Sequence, residues 1–271
     1  MTELPAGIEE SSGLVSDGQG RFWTFNDSQG EPELYLIDTL GNLLRTLRIN
    51  NSWNRDWEDI CKDDKGNIYI GNMGNNSNSN KDLTIFRIPD PWKTEADSMK
   101  AEVISFEYED QHSFPPSKDS MNFDCEAIIW YNGNIYMFTK HRTLPMATNM
   151  YRIPAEAGHH KAKKLDTFYT GVAGEGEREV GDYWITAADI SDSGKYLCLL
   201  SEKKLWFFYE YPGDNFFDGE VVVIDLGKST QKEGVAFDSE NNIFITDEKR
   251  FLEGSGGNLY KLQTGAQVKG F

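Results

Sequence analysis

The chain has 271 residues, 38 % of them apolar and 13 % aromatic, enough for one large domain with its own core and too apolar for a globally disordered chain. Lys and Arg total 27 against 44 Asp and Glu, a formal charge of −17, which excludes a nucleic-acid partner because phosphate binding needs a basic footprint. The same balance disfavours an acidic membrane surface and suits a cation, a cationic ligand or a neutral sugar, or serves solubility alone.

Cys61, Cys125 and Cys198 are the three cysteines and form no CxxC pair, so neither a disulfide framework nor a zinc knuckle is indicated; each sits in or beside an apolar run, as a small buried thiol does. No apolar run reaches the length of a membrane span. Residues 1–7 lack the basic and apolar regions of a signal peptide, so the expectation is a cytoplasmic monomer, or a periplasmic or secreted one if the chain is a processed fragment.

Taken in order, the chain repeats one pattern of strand, Asp/Asn/Gly-rich turn and strand. It occurs at residues 12–26, 58–72, 126–140, 188–201 and 233–247. The first four copies are each followed by two further strand-like runs, at 33–38 and 43–49, 83–88 and 101–108, 149–153 and 163–169, and 204–209 and 220–225. The fifth has a third strand at 258–262 but a poor fourth at 267–271, and residues 2–8 are expected to supply the missing strand and clasp the ring. Four short strands per repeat, at a period in the forties or somewhat longer, predict an all-β chain: a single β-propeller over 1–271 with five four-stranded blades, or six if a degenerate blade hides in 155–185. No blade buries both faces alone, so the blades must close into a ring. The stretches 72–80, 111–119, 171–182 and 211–219 read as loops, and 91–100 allows one short helical turn.

In a propeller the first strand of each blade lines the channel. Its start lies beside the end of the antiparallel second strand. The starts carry Glu9, Glu10, Asp56, Glu58, Asp59, Asp124, Glu126, Asp189 and Glu233; the ends carry Asn26, Asp27, Asn72, Lys140, His141, Ser201, Glu202, Asp247 and Glu248. The expected ligand-binding rim is therefore Glu10, Asn26, Glu58, Asn72, Asp124, Glu126, Lys140, Glu233, Asp247 and Glu248. Carboxylates crowded at one mouth are relieved by a bound cation, by protonation or by Lys and Arg. Ca²⁺, which takes about six to eight oxygen ligands in flexible geometry, suits Glu58, Asn72, Glu126, Glu233 and Asp247. Equally, an Asp or Glu at such a strand start holds a ring together by accepting backbone N–H bonds of the next blade. Asp17, Asp63 and Asp238 belong to turns. Trp57 reads as a packing anchor between blades. Glu58 and Asp59 should face opposite sides, with Glu58 the ligand because Glu126 and Glu233 recur at its register.

The segments 10–14, 56–60, 71–76, 82–89, 124–127 and 232–235 resemble the bacterial propeller-like proteins related to the SdiA-regulated and esterase-like phytase families. The resemblance spans about Glu10 to Glu248 and implies a propeller, often exported or lipid-anchored, without a settled activity. More distant gluconolactonase- and paraoxonase-type propellers imply Ca²⁺ at the channel mouth through Glu, Asn and Asp, here Glu58 or Glu126, Asn72 and Asp247.

Three functions fit these residues. The first is a binding or scaffold protein whose mouth takes a small molecule or a structural cation. The second is a metal-dependent hydrolase of a lactone, ester or phosphoester, with Glu58, Asp59 and Lys140 as candidate catalytic groups. The third is a glycosidase using two carboxylates. No GxSxG, P-loop, HExxH or EF-hand loop is present, and the missing nucleophile and His base favour the first.

Overall fold

The computed structural model describes residues 1–27, 30–171, 177–250 and 254–262, with the side chains of 177–179 excepted. The strands, in chain order, are β1 (Thr2–Glu3), β2 (Ser11–Ser16), β3 (Arg21–Asn26), β4 (Glu33–Asp38), β5 (Leu43–Asn50), β6 (Trp57–Lys62), β7 (Ile68–Asn72), β8 (Leu83–Ile88), β9 (Ser98–Lys100), β10 (Glu102–Tyr108), β11 (Asp124–Tyr131), β12 (Asn134–Lys140), β13 (Ala147–Pro154), β14 (Gly158–Tyr169), β15 (Ala187–Ile190), β16 (Tyr196–Leu200), β17 (Lys204–Tyr209), β18 (Glu220–Asp225), β19 (Lys232–Phe237), β20 (Ile243–Asp247) and β21 (Asn258–Leu262). The only helices among the described residues are short 3-10 turns. The fold is all-β and propeller-like.

The strands assemble as β2-β3-β4-β5, β6-β7-β8-β10, β11-β12-β13-β14, β15-β16-β17-β18 and β19-β20-β21-β1, each four antiparallel throughout. The last group takes its fourth strand from the N-terminus, where Thr2 and Glu3 pair with Leu259 and Asn258. The expected outer strand at 267–271 lies outside the described residues. Two pairings lack a counterpart in the sequence pattern. β9 lies parallel on β5, and β14 begins five residues ahead of the run at 163–169 so that Gly158 to Ala162 pair in parallel with β10. Of the expected loops, the 171–182 segment contains a 3-10 turn at Glu177–Asp182, and the Phe-rich part of 211–219 contains another at Phe216–Asp218.

The turns form because Asp side chains organise them. Asp17, Asp38, Asp63 and Asp238 each accept the backbone N–H groups two and four residues on, an Asx arrangement that closes the hairpin locally. These carboxylates are occupied by structure.

Core packing lies between neighbouring groups. Val15, Trp23 and Phe25 of the first pack with Trp57, Ile60 and Phe86 of the second, where Phe25 and Trp57 meet edge to face at 5.3 Å. Equivalent apolar layers join the second to the third through Tyr69 and Met137, the third to the fourth through Tyr136 and Trp206, the fourth to the fifth through Phe207 and Ile245, and the fifth to the first through Phe244 and Phe22. The three cysteines are free and buried in these layers. The first strands also touch in succession: β2 meets β6, β6 meets β11, β11 meets β15, β15 meets β19, and β19 meets β2.

At the centre of these first strands is Asp59, which is wholly buried. Its Oδ2 accepts from the backbone N–H of Ile128 in β11 (2.9 Å) and of Ala188 in β15 (3.1 Å), and its Oδ1 from Ile60 N–H (2.9 Å). Asp189, in the same Asp-Ile context, accepts from Phe237 N–H of β19 (2.7 Å). One carboxylate thus ties three first strands and a second reaches a fourth. Asp59→Ala leaves three buried N–H donors without acceptors. At on the order of 1 kcal/mol each, the expected loss is about 3 kcal/mol in urea unfolding; a change under about 0.5 kcal/mol refutes this role.

Candidate functional site

The three glutamates singled out by register are aimed by one local device. In the β6–β7 pair Trp57 faces Asn72 and Asp59 faces Gly71, so Glu58 has no partner across the ladder. In β11–β12 the same skip falls on Glu126, between Cys125 and Ala127. In β19–β20 it falls on Glu233, between Lys232 and Gly234. A β-bulge leaves its extra residue unpaired and bends the strand there, re-aiming the side chain. All three glutamates line a cavity of about 310 Å³, together with Asp27, Asp56, Lys140, Arg142 and Trp184.

One side of this cavity is acidic. Carboxylate oxygens of Asp27, Asp56 and Glu58 lie within 4.8 Å of one another, as do those of Asp27, Glu233 and Glu248. Gly74 closes the wall behind the first group: a Cβ there would overlap the carboxylates of Asp56 and Glu58, so a residue without a side chain lets the backbone approach. The same cavity also holds two cations. Lys140 Nζ is 2.8 Å from Glu126 Oε2, and Arg142 Nε donates to Asp124 Oδ2 at 2.8 Å. Both cations sit over the Trp184 ring, 5.5 Å and 5.1 Å from its centre, and the Trp184 indole N–H donates to the His141 carbonyl at 2.7 Å. The cavity therefore combines acidic groups with two paired cations over an aromatic ring.

Burial and mutual repulsion set the protonation of the acidic wall. Burial first, then Glu126, Asp27 and Asp56, hold the Glu58 carboxyl well above the usual carboxylate range. Burial, then Glu233 and Asp27, push Glu248 up to about 11. Asp56 is raised by burial and by Asp124. Burial works against the Lys140 ammonium, but Glu126, Asp124 and Glu58 outweigh it and raise its pKa. Burial pulls the His141 imidazole down to about 4, so it is neutral at physiological pH.

The remaining expected site residues have structural partners. Asn26 accepts from Glu10 N–H and donates to the Gly7 carbonyl. Asn72 is fully buried, accepts from Arg55 and Asp56 N–H, and donates to Thr84. Asp247 accepts from Asn258 N–H and the Tyr260 hydroxyl. Asp124 holds Arg142 and accepts from Asn75 N–H. Glu10 is partnered through its backbone to Asn26 and Asp27, with its carboxylate near enough to act on Glu248. Asp59 faces away from Glu58, into the first strands. Of the five expected metal ligands, Glu58 and Glu233 thus stand in acidic groups, Glu126 is paired with Lys140, and Asn72 and Asp247 are held by backbone.

Asp27 and Asp56 stood among the strand ends and starts but not among the ligands, and Arg142 and Trp184 were not singled out. A signal for Asp27 exists: Asp27 and Glu248 each directly follow the last residue of their second strand, β3 and β20. A larger cleft of about 790 Å³ lies among the hairpin turns, lined by Lys62, Asp63, Trp92, Trp130 and Asp189. Its charges are tied off, as in Asp17–Arg21, Lys62–Asp192 and Asp90–Lys93, so the chemistry is sought at the smaller, acidic cavity.

No family model and no curated protein matches the chain. Among solved structures, the chain is similar to the major allergen Mala s 1 of Malassezia sympodialis, with a TM-score of 0.59, 11 % identity and coverage of 97 % of this chain and 95 % of that one. A Kuenenia stuttgartiensis hydrazine synthase (TM-score 0.45, 10 % identity, 93 % and 70 % covered) and a streptogramin B lyase (0.42, 10 %, 96 % and 70 %) also match. The likeness to the allergen bears on the fold alone, a propeller-like one. Among the described residues, no helix is long and apolar enough to cross a membrane.

These raised carboxyls set the pH dependence of folding. The unfolded chain releases the protons of Glu58 and Glu248 near their ordinary value of 4.5, whereas the folded state keeps them to higher pH, so stability falls as pH rises between the two. In EDTA the melting midpoint should decline from pH 5 to pH 9, and Glu58→Gln should reduce the slope and raise the midpoint at pH 8. A midpoint that climbs over this range contradicts the assignment.

Proposed function

We propose that the chain is a single five-bladed β-propeller, clasped by its N-terminal strand, that binds a divalent cation at its acidic mouth and through it a small anionic ligand. The five interfacial cores and the succession of first strands from β2 round to β19 support the single ring.

The convergence of Asp27, Asp56 and Glu58 carries the cation reading. Their oxygens crowd into a half-buried corner against mutual repulsion, an arrangement that a dication would offset. All donors are hard oxygens and no His or Cys among the described residues joins them, which fits Ca²⁺ rather than zinc or copper. The same cavity holds Lys140 and Arg142, whose positive charges favour a ligand with negative charge beside the cation. Trp184 offers that ligand an aromatic face.

A second reading is favoured by the same opposition of charges. Asp27, Asp56 and Glu58 would hold a dication that would supply Lewis-acid polarisation of a lactone, ester or phosphoester oxygen, and Lys140 and Arg142 in the same cavity would stabilise the charge that develops, as in a metal-dependent hydrolase. In that reading Glu58 is a ligand and not the base, and Asp59 takes no part because it is buried among the first strands. The resemblance to the esterase-like phytase group puts phosphoesters first among substrates to try.

After EDTA treatment, added Ca²⁺ should raise the melting midpoint of the wild-type chain by several degrees. Saturation at a hundredfold excess over Kd corresponds to about 2.7 kcal/mol. The shift should shrink markedly in Glu58→Gln, which removes a ligand of this cluster. A wild-type midpoint indifferent to millimolar Ca²⁺ sinks the cation reading. Turnover of any lactone, ester or phosphoester that is abolished by EDTA and by Glu58→Gln would select the hydrolase over the binding protein.

A further inference from the structure

We infer that the mouth takes two divalent cations with Asp27 as the bridging carboxylate: Asp56 and Glu58 complete one site, Glu233 and Glu248 the other. This rests on the cation reading above and extends it to a second ion.

Asp27 is common to both acidic groups, and within each group the candidate ligand oxygens lie within 4.8 Å of one another. A carboxylate has two oxygens, so one residue serves two ions about 4 Å apart, as in two-metal sites generally. The second group also contains a buried oxygen that meets no donor. Glu248 is only 8 % exposed, its Oε1 has no hydrogen-bond donor among the described residues, and its carboxyl lies against that of Glu233. A buried carboxylate oxygen with nothing to accept is costly and rare. Nearby cationic side chains are engaged elsewhere. Lys232 Nζ donates to the carbonyls of Glu202 and Lys228 and to the Thr230 hydroxyl, and Arg250 pairs with Glu202. Glu233 receives one neutral donor, Gln231 Nε2, at 3.1 Å on Oε1.

The two groups share Asp27 and otherwise hold two carboxylates each. Lys140 and Arg142 are already matched by Glu126 and Asp124. The placement of the ligands adds a mechanical consequence. Asp27 follows β3, Asp56 and Glu58 belong to the β6 start, and Glu233 and Glu248 flank the β19–β20 hairpin. The ions would therefore clamp the first group of strands to both its neighbours, including the one that the N-terminal strand completes.

The test is a stoichiometry. The full chain, stripped with EDTA, is titrated with Ca²⁺ by calorimetry and with Mn²⁺ followed by electron paramagnetic resonance. Two ions per chain are expected, and at saturation the Mn²⁺ spectrum should show an exchange-coupled pair. Glu248→Gln should retain one ion and give the six-line spectrum of isolated Mn²⁺. Asp56→Asn should likewise retain one, and Asp27→Asn should weaken both at least tenfold. One ion in the wild type, with an unchanged count in Glu248→Gln, overturns the second site and leaves the single-cation reading standing. No ion at all overturns both. Should Glu248→Gln lose its circular-dichroism signature of folding, Glu233→Gln carries the same comparison.

Discussion

The carboxylate of Asp59 is the point on which the arrangement turns. Apart from the β5–β9 and β10–β14 pairings, the five strand groups pack side by side through apolar layers that give no directional reason to keep their first strands at one height. Hydrophobic contact is tolerant of sliding, whereas a hydrogen bond is not. Asp59 accepts N–H groups from β6, β11 and β15 at once, and Asp189 extends the tie to β19. Ser12 and Thr186 hydroxyls add bonds to the Glu58 and Lys232 carbonyls of the next group along. These ties set the relative height of the strand starts, and the strand starts carry the site.

With the height set, the bulges decide direction. Residues alternate sides along a regular strand, so Glu58 and Asp59 would already diverge. The bulge adds a residue that has no cross-strand partner and turns it into the cavity. The same device at Glu126 and Glu233 brings three glutamates from three hairpins to one mouth. They do not share one environment, however. Glu126 meets Lys140 and is neutralised as an ion pair, while Glu58 and Glu233 meet further carboxylates. The proposed function rests on this inequality: Lys140 is held by Glu126, whereas the acidic groups are ones that a bound cation would offset.

Much of this was legible in the chain. The five hairpins recur with Asp/Gly turns and apolar second strands, and every third strand appears within two or three residues of its expected position. The register of Glu58, Glu126 and Glu233 was visible because the repeat is periodic. Less was legible wherever a partner comes from far along the chain. β9 has only three residues and no apolar pattern, and it exists because β5 offers an open edge. The parallel union of β10 and β14 depends on two groups lying side by side. Asn72 and Asp247 have the chemistry of ligands, but Arg55, Asp56, Asn258 and Tyr260 use their oxygens first. Asp27 was hidden by its neighbour Asn26, since only the distances to residues of other hairpins decide which of the two joins the acidic groups.

The sequence by itself determined the all-β class, the repeated hairpins, the N-terminal strand that completes the last group, and the acidic character of one end. Those features follow from local propensity and period, which each segment expresses through its own residues and immediate neighbours. Tertiary structure alone decided which acids are braces and which are candidate ligands. That distinction depends on the distances between residues from separate hairpins. It also depends on burial, which makes an unpartnered carboxylate such as Glu248 costly and one bonded to three backbone amides, such as Asp59, a fastening.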